Sequence, residues 1–538
     1  MVLKNKDLVD RAVWEKAGIA LPRFNRESMI TATQAAPTWV HFGAGNIFRA
    51  FPAVLQQSLL DEGLVKTGII VAEGYDGEII DRVFLPCDNL TLAVTLKADG
   101  GIEKKVVASV ANALRLDKAE DFDQLKDIFR KVSLQMASFT ITEKGYVITV
   151  SGGGLSPAAA ADMEAGPDSA KSYMGQISAL CYQRYLAGAL PLALVSMDNC
   201  SHNGDKLFAA IDSFAQGWTE RGLVDKGFAD YIRDPKKVSF PWSMIDKITP
   251  RPDEGIKTML EEAGFTDTQG SVTAKNTYVA PFVNAEETQY LVIEDAFPAG
   301  RPPLEKVGVL FADRETVDKV EKMKVCTCLN PLHTALAVFG CLLGYTKISE
   351  EMQDEDLRKL VELIGYREGL PVVVDPGILS PRDFIDQVIR RRFPNPYMPD
   401  TPQRIASDTS LKIPIRFGET LKAYHKNSAL EIMQLEGIPL VLAAWLRYLL
   451  AIDDKGNAFT VSPDPQYEIL SRRLGGLRLG QKGPFHQTLE SVLSDPAIFG
   501  LNLYDAGLGE KTEGYFAELI AGPGAVRAVL KRVTGQNT

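Results

Sequence analysis

An ammonium, a carboxamide and an imidazole fall within ten residues in Lys324-Val-Cys-Thr-Cys-Leu-Asn330-Pro-Leu-His333. Asn330 and His333 are three apart, so on a helix they share a face. An amine that takes up a hydroxyl proton and an amide that donates to the oxygen left behind are groups for deprotonating an alcohol and holding the resulting oxyanion. Asn330 directly before Pro331 reads as a helix N-cap with proline in the first turn. The run Thr334-Ala-Leu-Ala-Val-Phe-Gly-Cys-Leu-Leu-Gly344 is apolar on every side, the mark of a buried helix. The same three residues also read as a plain cap, a satisfied core histidine and a solvated charge, so the surrounding elements must decide.

A second group lies near the N-terminus. Pro37-Thr-Trp-Val-His-Phe-Gly43-Ala-Gly45-Asn46-Ile47-Phe48-Arg49 gives a short strand, a glycine turn and a helix, followed by a second apolar strand, Gly68-Ile-Ile-Val-Ala72, that ends at Glu73. In such a β-α-β unit Gly43 permits the tight turn. Gly45 lets a pyrophosphate approach the backbone at the helix N-terminus. Gly43, Gly45, Asn46, Ile47 and Arg49 are therefore candidate cofactor-binding residues. Glu73, with Asp76 as the second choice, is placed to bond ribose hydroxyls and to repel a 2′-phosphate, which favours NAD over NADP. The third glycine of the fingerprint is replaced by Phe48, so the helix is expected to stand further off the strand.

A chain of 538 residues is too long for one core, and 45% hydrophobic with 24% charged residues describes an ordinary globular protein. A formal net charge of −10 argues against nucleic acid or an anionic membrane as the main partner. No run of about 18 consecutive apolar residues suggests a membrane span. Six scattered cysteines read as reduced thiols of a cytoplasmic protein. No cysteine or histidine spacing asks for a metal.

Further apolar strands end in polar residues, where open α/β sheets bind ligands. Ala137–Thr142 leads into Glu143-Lys-Gly-Tyr146 and a β-like run Val147–Val150. Leu190–Ser196 leads into Met197-Asp-Asn199-Cys-Ser-His202-Asn203-Gly204, where His202 and Asn203-Gly204 look like turn chemistry. The breaker-rich stretch Phe297–Pro303 divides the chain into 1–300, strand- and helix-forming, and 301–538, mostly helical. In the latter, Ser380-Pro381 reads as a helix start and Ile438–Leu450 as a long buried helix. Residues 1–36 are expected to form a helix and a strap.

These stretches together resemble the mannitol dehydrogenase family, the polyol-specific long-chain dehydrogenases. The resemblance rests on His41–Ala50, Thr140–Tyr146, Ser196–Gly204, Ser243–Pro250, Leu329–His333, Arg392–Pro396, Ala443–Tyr448 and Asp453–Gly456, in the family's order. It implies an α/β fold, with an N-terminal Rossmann-like dinucleotide-binding domain, a mostly α-helical C-terminal domain and the active site between them. It also implies metal-independent, NAD-dependent hydride transfer on a small polyol or sugar acid.

By the family pattern Lys324 is the general acid/base, Asn199 and Asn330 polarise the reacting oxygen, and His333 is the active-site histidine. Asp246 and Arg392 are expected to bind substrate, with Arg404 and Lys412 weaker candidates for a carboxylate. The family spaces its lysine five residues before the asparagine, whereas Lys324 is six before Asn330. Either a bulge absorbs one residue, or Lys322 or another base serves. The substrate pair expected first is D-mannonate and D-fructuronate, with mannitol or tagaturonate as alternatives within the family. A regulatory dinucleotide-binding protein without turnover is the alternative of another class.

Overall fold

The computed structural model describes residues 1–252 and 254–536. It divides into two compact units, residues 1–96 with 101–318, and residues 97–100 with 319–538. The breaker-rich stretch 297–303 lies inside the first unit.

The first unit is built on a six-stranded sheet of β1 (Trp39–Phe42), β2 (Ile69–Glu73), β3 (Val110–Arg115), β4 (Met136–Phe139), β5 (Leu192–Ser196) and β6 (Val238–Ser239). Their order is β3-β2-β1-β4-β5-β6 and every pairing is parallel. That order reverses between β1 and β4, which opens a ligand crevice at the carboxyl ends of the strands. The strands are apolar on both faces because both faces are covered. Val40, Phe42, Ile70, Ala72, Ala137 and Phe139 enter one core, while Trp39, Ile69, Val71 and Met136 enter the other.

A smaller sheet follows β2, with Thr91–Leu96 antiparallel to Ile102–Val107 and parallel to Phe282–Glu286. Strand Ser243–Asp246 pairs with Tyr290–Glu294, which pairs in turn with Leu310–Ala312. Val147–Val150 forms no extended strand. It belongs to a loop in which Val147 and Val150 are exposed and the glycines 152–154 all have positive φ. Within residues 1–36 there are two α-helices, Arg11–Lys16 and Arg26–Ala35.

The second unit is helical, with no extended strand among its described residues. Eleven residues of helix Asn330–Leu343 and all of Gly437–Tyr448 are buried, as their uniformly apolar sequences predict. Ser380 caps helix Pro381–Gln387 by accepting from the Asp383 N–H. By length and composition the helical run Arg314–Leu343 passes for a membrane span, against the sequence reading, but most of it is buried among protein atoms.

Candidate active site

The glycine turn of the first unit follows β1. Gly43 has φ +105°, and a Cβ there would lie 2.3 Å from the Thr140 carbonyl oxygen, so only glycine fits. A Cβ on Gly45 would meet nothing within 4 Å. The space beside Gly45, at the start of helix Asn46–Ala50, is the cradle a pyrophosphate needs, so the residues present fit a dinucleotide. Phe48, in place of the third glycine, is buried and stacks on the His41 ring at 4.4 Å. His41 itself lies 2.6 Å from the Ser138 hydroxyl and 2.8 Å from that of Thr140. Burial brings its pKa down to about 3, so the ring is neutral.

Two expectations at this turn change. Arg49 is buried and directs its guanidinium inward, to the Thr91 hydroxyl and the carbonyls of Ala280 (2.8 Å) and Pro281 (2.9 Å). It ties the helix to the smaller sheet instead of reaching out to a cofactor. Glu73 is buried at the end of β2, and its carboxylate accepts from the N–H groups of Ala44 (2.8 Å), Tyr75 (2.8 Å) and Asp76 (3.1 Å). Of about four lone-pair sites on a carboxylate, three are occupied. Glu73 therefore acts first as the clamp that shapes the glycine turn. Asp76 is engaged as well, accepting from the Thr273 hydroxyl at 2.6 Å.

At the end of β5, Asn199 is exposed in the turn before helix Asn203–Glu220. The residue before it, Asp198, was not singled out from sequence. Its carboxylate accepts from the N–H groups of Ile141 (2.9 Å) and Thr142 (2.8 Å) and from the Tyr146 hydroxyl. Asp246 is buried at the end of strand Ser243–Asp246. His202 stacks on Trp242 at 4.2 Å, a structural contact.

In the second unit Lys324 is buried and opens a π-turn, Lys324–Cys328. The Leu329 N–H donates to the Lys324 carbonyl at 3.1 Å, five residues back. A π-turn holds one residue more than an α-turn and so absorbs the extra residue between Lys324 and Asn330. The Thr420 hydroxyl inserts into the broken ladder, donating to the Cys326 carbonyl at 3.2 Å. Lys322, the other base considered, is exposed.

Asn330 is not a cap. It is the first residue of its helix, and no side chain caps the preceding turn. The Leu329 N–H is already bonded to the Lys324 carbonyl and Pro331 has no N–H, which leaves little for a cap to satisfy.

His333 lies one turn on, its side chain 14% exposed and Nε2 3.6 Å from an Asp400 carboxylate oxygen. Its ring packs against Phe393 at 5.0 Å. Burial, and after it the charges of Arg416, Arg404, Arg392 and Lys412, bring its pKa down to about 3. The imidazole is thus neutral.

Those four cations lie around His333 together with the Asp400 carboxylate. Arg392 is buried at the end of a second π-turn, Val388–Arg392. Arg404 pairs with Asp400. Lys412 donates to the Ile405 and Ser407 carbonyls. Arg416 donates to the Thr334 hydroxyl at 2.6 Å. Lys412 and Arg416 lie four apart on helix Thr409–Arg416 and share a face. Arg416 was missed from sequence, although its i, i+4 spacing after Lys412 was a usable signal. Burial lowers the pKa of Lys412 to about 8 and that of Arg416 to about 10.

Residues 37–306 match the mannitol dehydrogenase Rossmann domain, and residues 316–510 match the mannitol dehydrogenase C-terminal domain. The chain is 52% identical to the D-mannonate oxidoreductase of Thermotoga maritima, over 100% of this chain and 99% of the relative. It is 31% identical to a mannitol 2-dehydrogenase of Pyrenophora tritici-repentis, over 81% of this chain and 73% of that one. Among solved structures, the Pseudomonas fluorescens mannitol 2-dehydrogenase ternary complex with NAD and D-mannitol superposes with a TM-score of 0.67 at 26% identity, covering 96% of this chain and 97% of that one. A D-sorbitol dehydrogenase at 24% identity, with a TM-score of 0.79 and coverage of 95% and 98%, shares the fold. With both family models matched and a relative more than half identical over its full length, the chain belongs to the mannitol dehydrogenase family of oxidoreductases.

Proposed function

We propose that this enzyme is an NAD-dependent oxidoreductase that interconverts D-mannonate and D-fructuronate in the cytoplasm. The observation that carries the sugar-acid reading is the set of cations around His333: Arg392, Arg404, Lys412 and Arg416. A carboxylate needs such partners, and a polyol does not. The Thermotoga maritima relative, named for the same reaction, supports the choice of sugar acid. The six free cysteines accord with a reducing compartment.

In this reading the first unit binds the dinucleotide, with Gly43, Gly45, Asn46 and Ile47 forming the pyrophosphate turn and Glu73 holding its shape. The bound nicotinamide supplies the hydride acceptor for oxidation and the donor for reduction. Lys324 takes the hydroxyl proton when the alcohol is oxidised and returns it when the ketone is reduced. Asn199 and Asn330 donate from their carboxamides to the reacting oxygen as it gains charge. His333, held neutral, contributes a hydrogen bond and no charge. Asp246 orients a substrate hydroxyl, and Arg392 anchors the carboxylate.

The test is NADH oxidation with D-fructuronate, D-tagaturonate and D-fructose in parallel. Turnover on fructuronate well above the other two is expected. Turnover on fructose alone would reassign the enzyme to polyols, and no turnover on any ketone would point to a dinucleotide-binding protein without catalysis.

A further inference from the structure

We propose that Asn203 is a positioning residue whose buried amide fixes Asn199 and Asp246 relative to one another. The proposal rests on the roles given to those two residues above. Asn203 is fully buried at the first position of helix Asn203–Glu220. The N-cap position before it is held by His202. Here no side chain caps the helix, and the amide of Asn203 faces two strand ends instead.

The Asn203 Nδ2 group donates to the carbonyls of Asp198 (2.9 Å) and Ser243 (2.9 Å), with the Ser196 carbonyl 3.4 Å away. Its Oδ1 accepts from the Ser243 N–H at 3.0 Å. The Ser243 hydroxyl completes the set by donating to the Ser196 carbonyl at 2.5 Å. One side chain therefore binds the peptide immediately before Asn199 and both backbone groups at the start of the strand that ends in Asp246.

A second tie stiffens the same peptide. Asp198 holds the loop after β4 through the N–H groups of Ile141 and Thr142. Thr142 has φ 64° and ψ 159°, a conformation that L residues rarely adopt and that persists only where the surroundings enforce it. The turn carrying Asn199 is thus fixed through the Asp198 side chain on one side and through Asn203 on the other. A carboxamide that must meet a reacting oxygen to within a fraction of an ångström needs this support, since a displacement near 1 Å costs about 100-fold in rate.

The test is a double-mutant cycle between Asn203→Ala and Asn199→Ala, with kcat and the sugar-acid KM measured beside NADH affinity by fluorescence. Asn203→Ala is expected to lower kcat about 10- to 100-fold. NADH affinity should be unchanged, because Asn203 touches no residue of the glycine turn. Asn199→Ala is expected to cost about 100-fold or more in the wild-type background and under tenfold in the Asn203→Ala background. Equal costs in both backgrounds would overturn the positioning role, while a silent Asn199→Ala in the wild type would overturn the reading of Asn199 itself. Should the alanine variant not fold, Asn203→Asp carries the same cycle: it keeps the side-chain shape and the acceptor for Ser243 N–H but loses the donors.

Discussion

The N–H of Leu329 donates to the carbonyl of Lys324 at 3.1 Å, closing a turn one residue longer than an α-turn. This bond makes the six-residue separation of Lys324 and Asn330 compatible with a family that uses five. Lys324→Ala is expected to lower kcat by about 10² to 10⁴-fold, the usual worth of general acid–base catalysis, with NADH affinity unchanged. Lys322→Ala, at an exposed position, should stay within about twofold of wild type. Steady-state kinetics of the two variants side by side decide which lysine is the base.

Gly43 and Gly45 are expected to matter for different reasons, and the same substitution separates them. Gly43→Ala places a methyl 2.3 Å from a backbone carbonyl at positive φ, so loss of folding or a large fall in Tm is expected. Gly45→Ala meets open space, so Tm should hold while NADH affinity falls at least tenfold as the methyl fills the pyrophosphate cradle. Thermal melts with and without NADH read both.

The proposed carboxylate site should carry its own pH dependence. Lys412 is cationic below about pH 8 and loses its charge above it. An anionic substrate binds the cationic form, so its KM should rise as pH passes 8. Lys412→Arg should shift that rise to higher pH, since a guanidinium keeps its charge. An uncharged polyol should show no such rise. KM against pH for fructuronate and fructose is the measurement.

Two histidines should shape acid stability. His41 and His333 have folded pKa values near 3 against 6.5 for an ordinary histidine. Between those values the unfolded chain binds more protons, so each histidine makes the protein less stable as pH falls below 6.5. The slope approaches about 1.4 kcal/mol per pH unit for each. Urea melts at pH 7, 6 and 5 should show this loss, and replacing His41 with asparagine should flatten it. Because His333 stays neutral throughout, no limb of the pH–rate profile near 6.5 is expected from it.

Glu73 holds three backbone N–H groups at the glycine turn. Hydrogen bonds to a charged group are worth about 1.5–3 kcal/mol each, and an amide in place of the carboxylate turns a donor toward N–H groups. Glu73→Gln is therefore expected to lower both Tm and NADH affinity, the latter by about tenfold or more. Differential scanning fluorimetry with titrated NADH tests both effects in one series.

Local sequence determined a good part of this protein. The β-α-β signature at 37–73, the apolar strands covered on both faces and the uniformly apolar helices at 330–343 and 437–448 follow from residue periodicity and turn chemistry, which act within a few residues. Charge placement and exposure did not follow, because they depend on partners distant in sequence. Arg49 looked like a cofactor-binding residue until the carbonyls of Ala280 and Pro281, more than 200 residues away, took its guanidinium. Glu73 looked placed for ribose hydroxyls until the Ala44 amide claimed it, and Asn203 looked like a turn residue until Ser243 met it across 40 residues. Asn330 looked like a cap because proline followed it, but the π-turn runs up to Leu329 and Asn330 is already the first residue of the helix. Only tertiary packing gathers Arg392, Arg404, Lys412 and Arg416 around one neutral histidine, because burial and the summed field of separate segments, not any local pattern, set its charge.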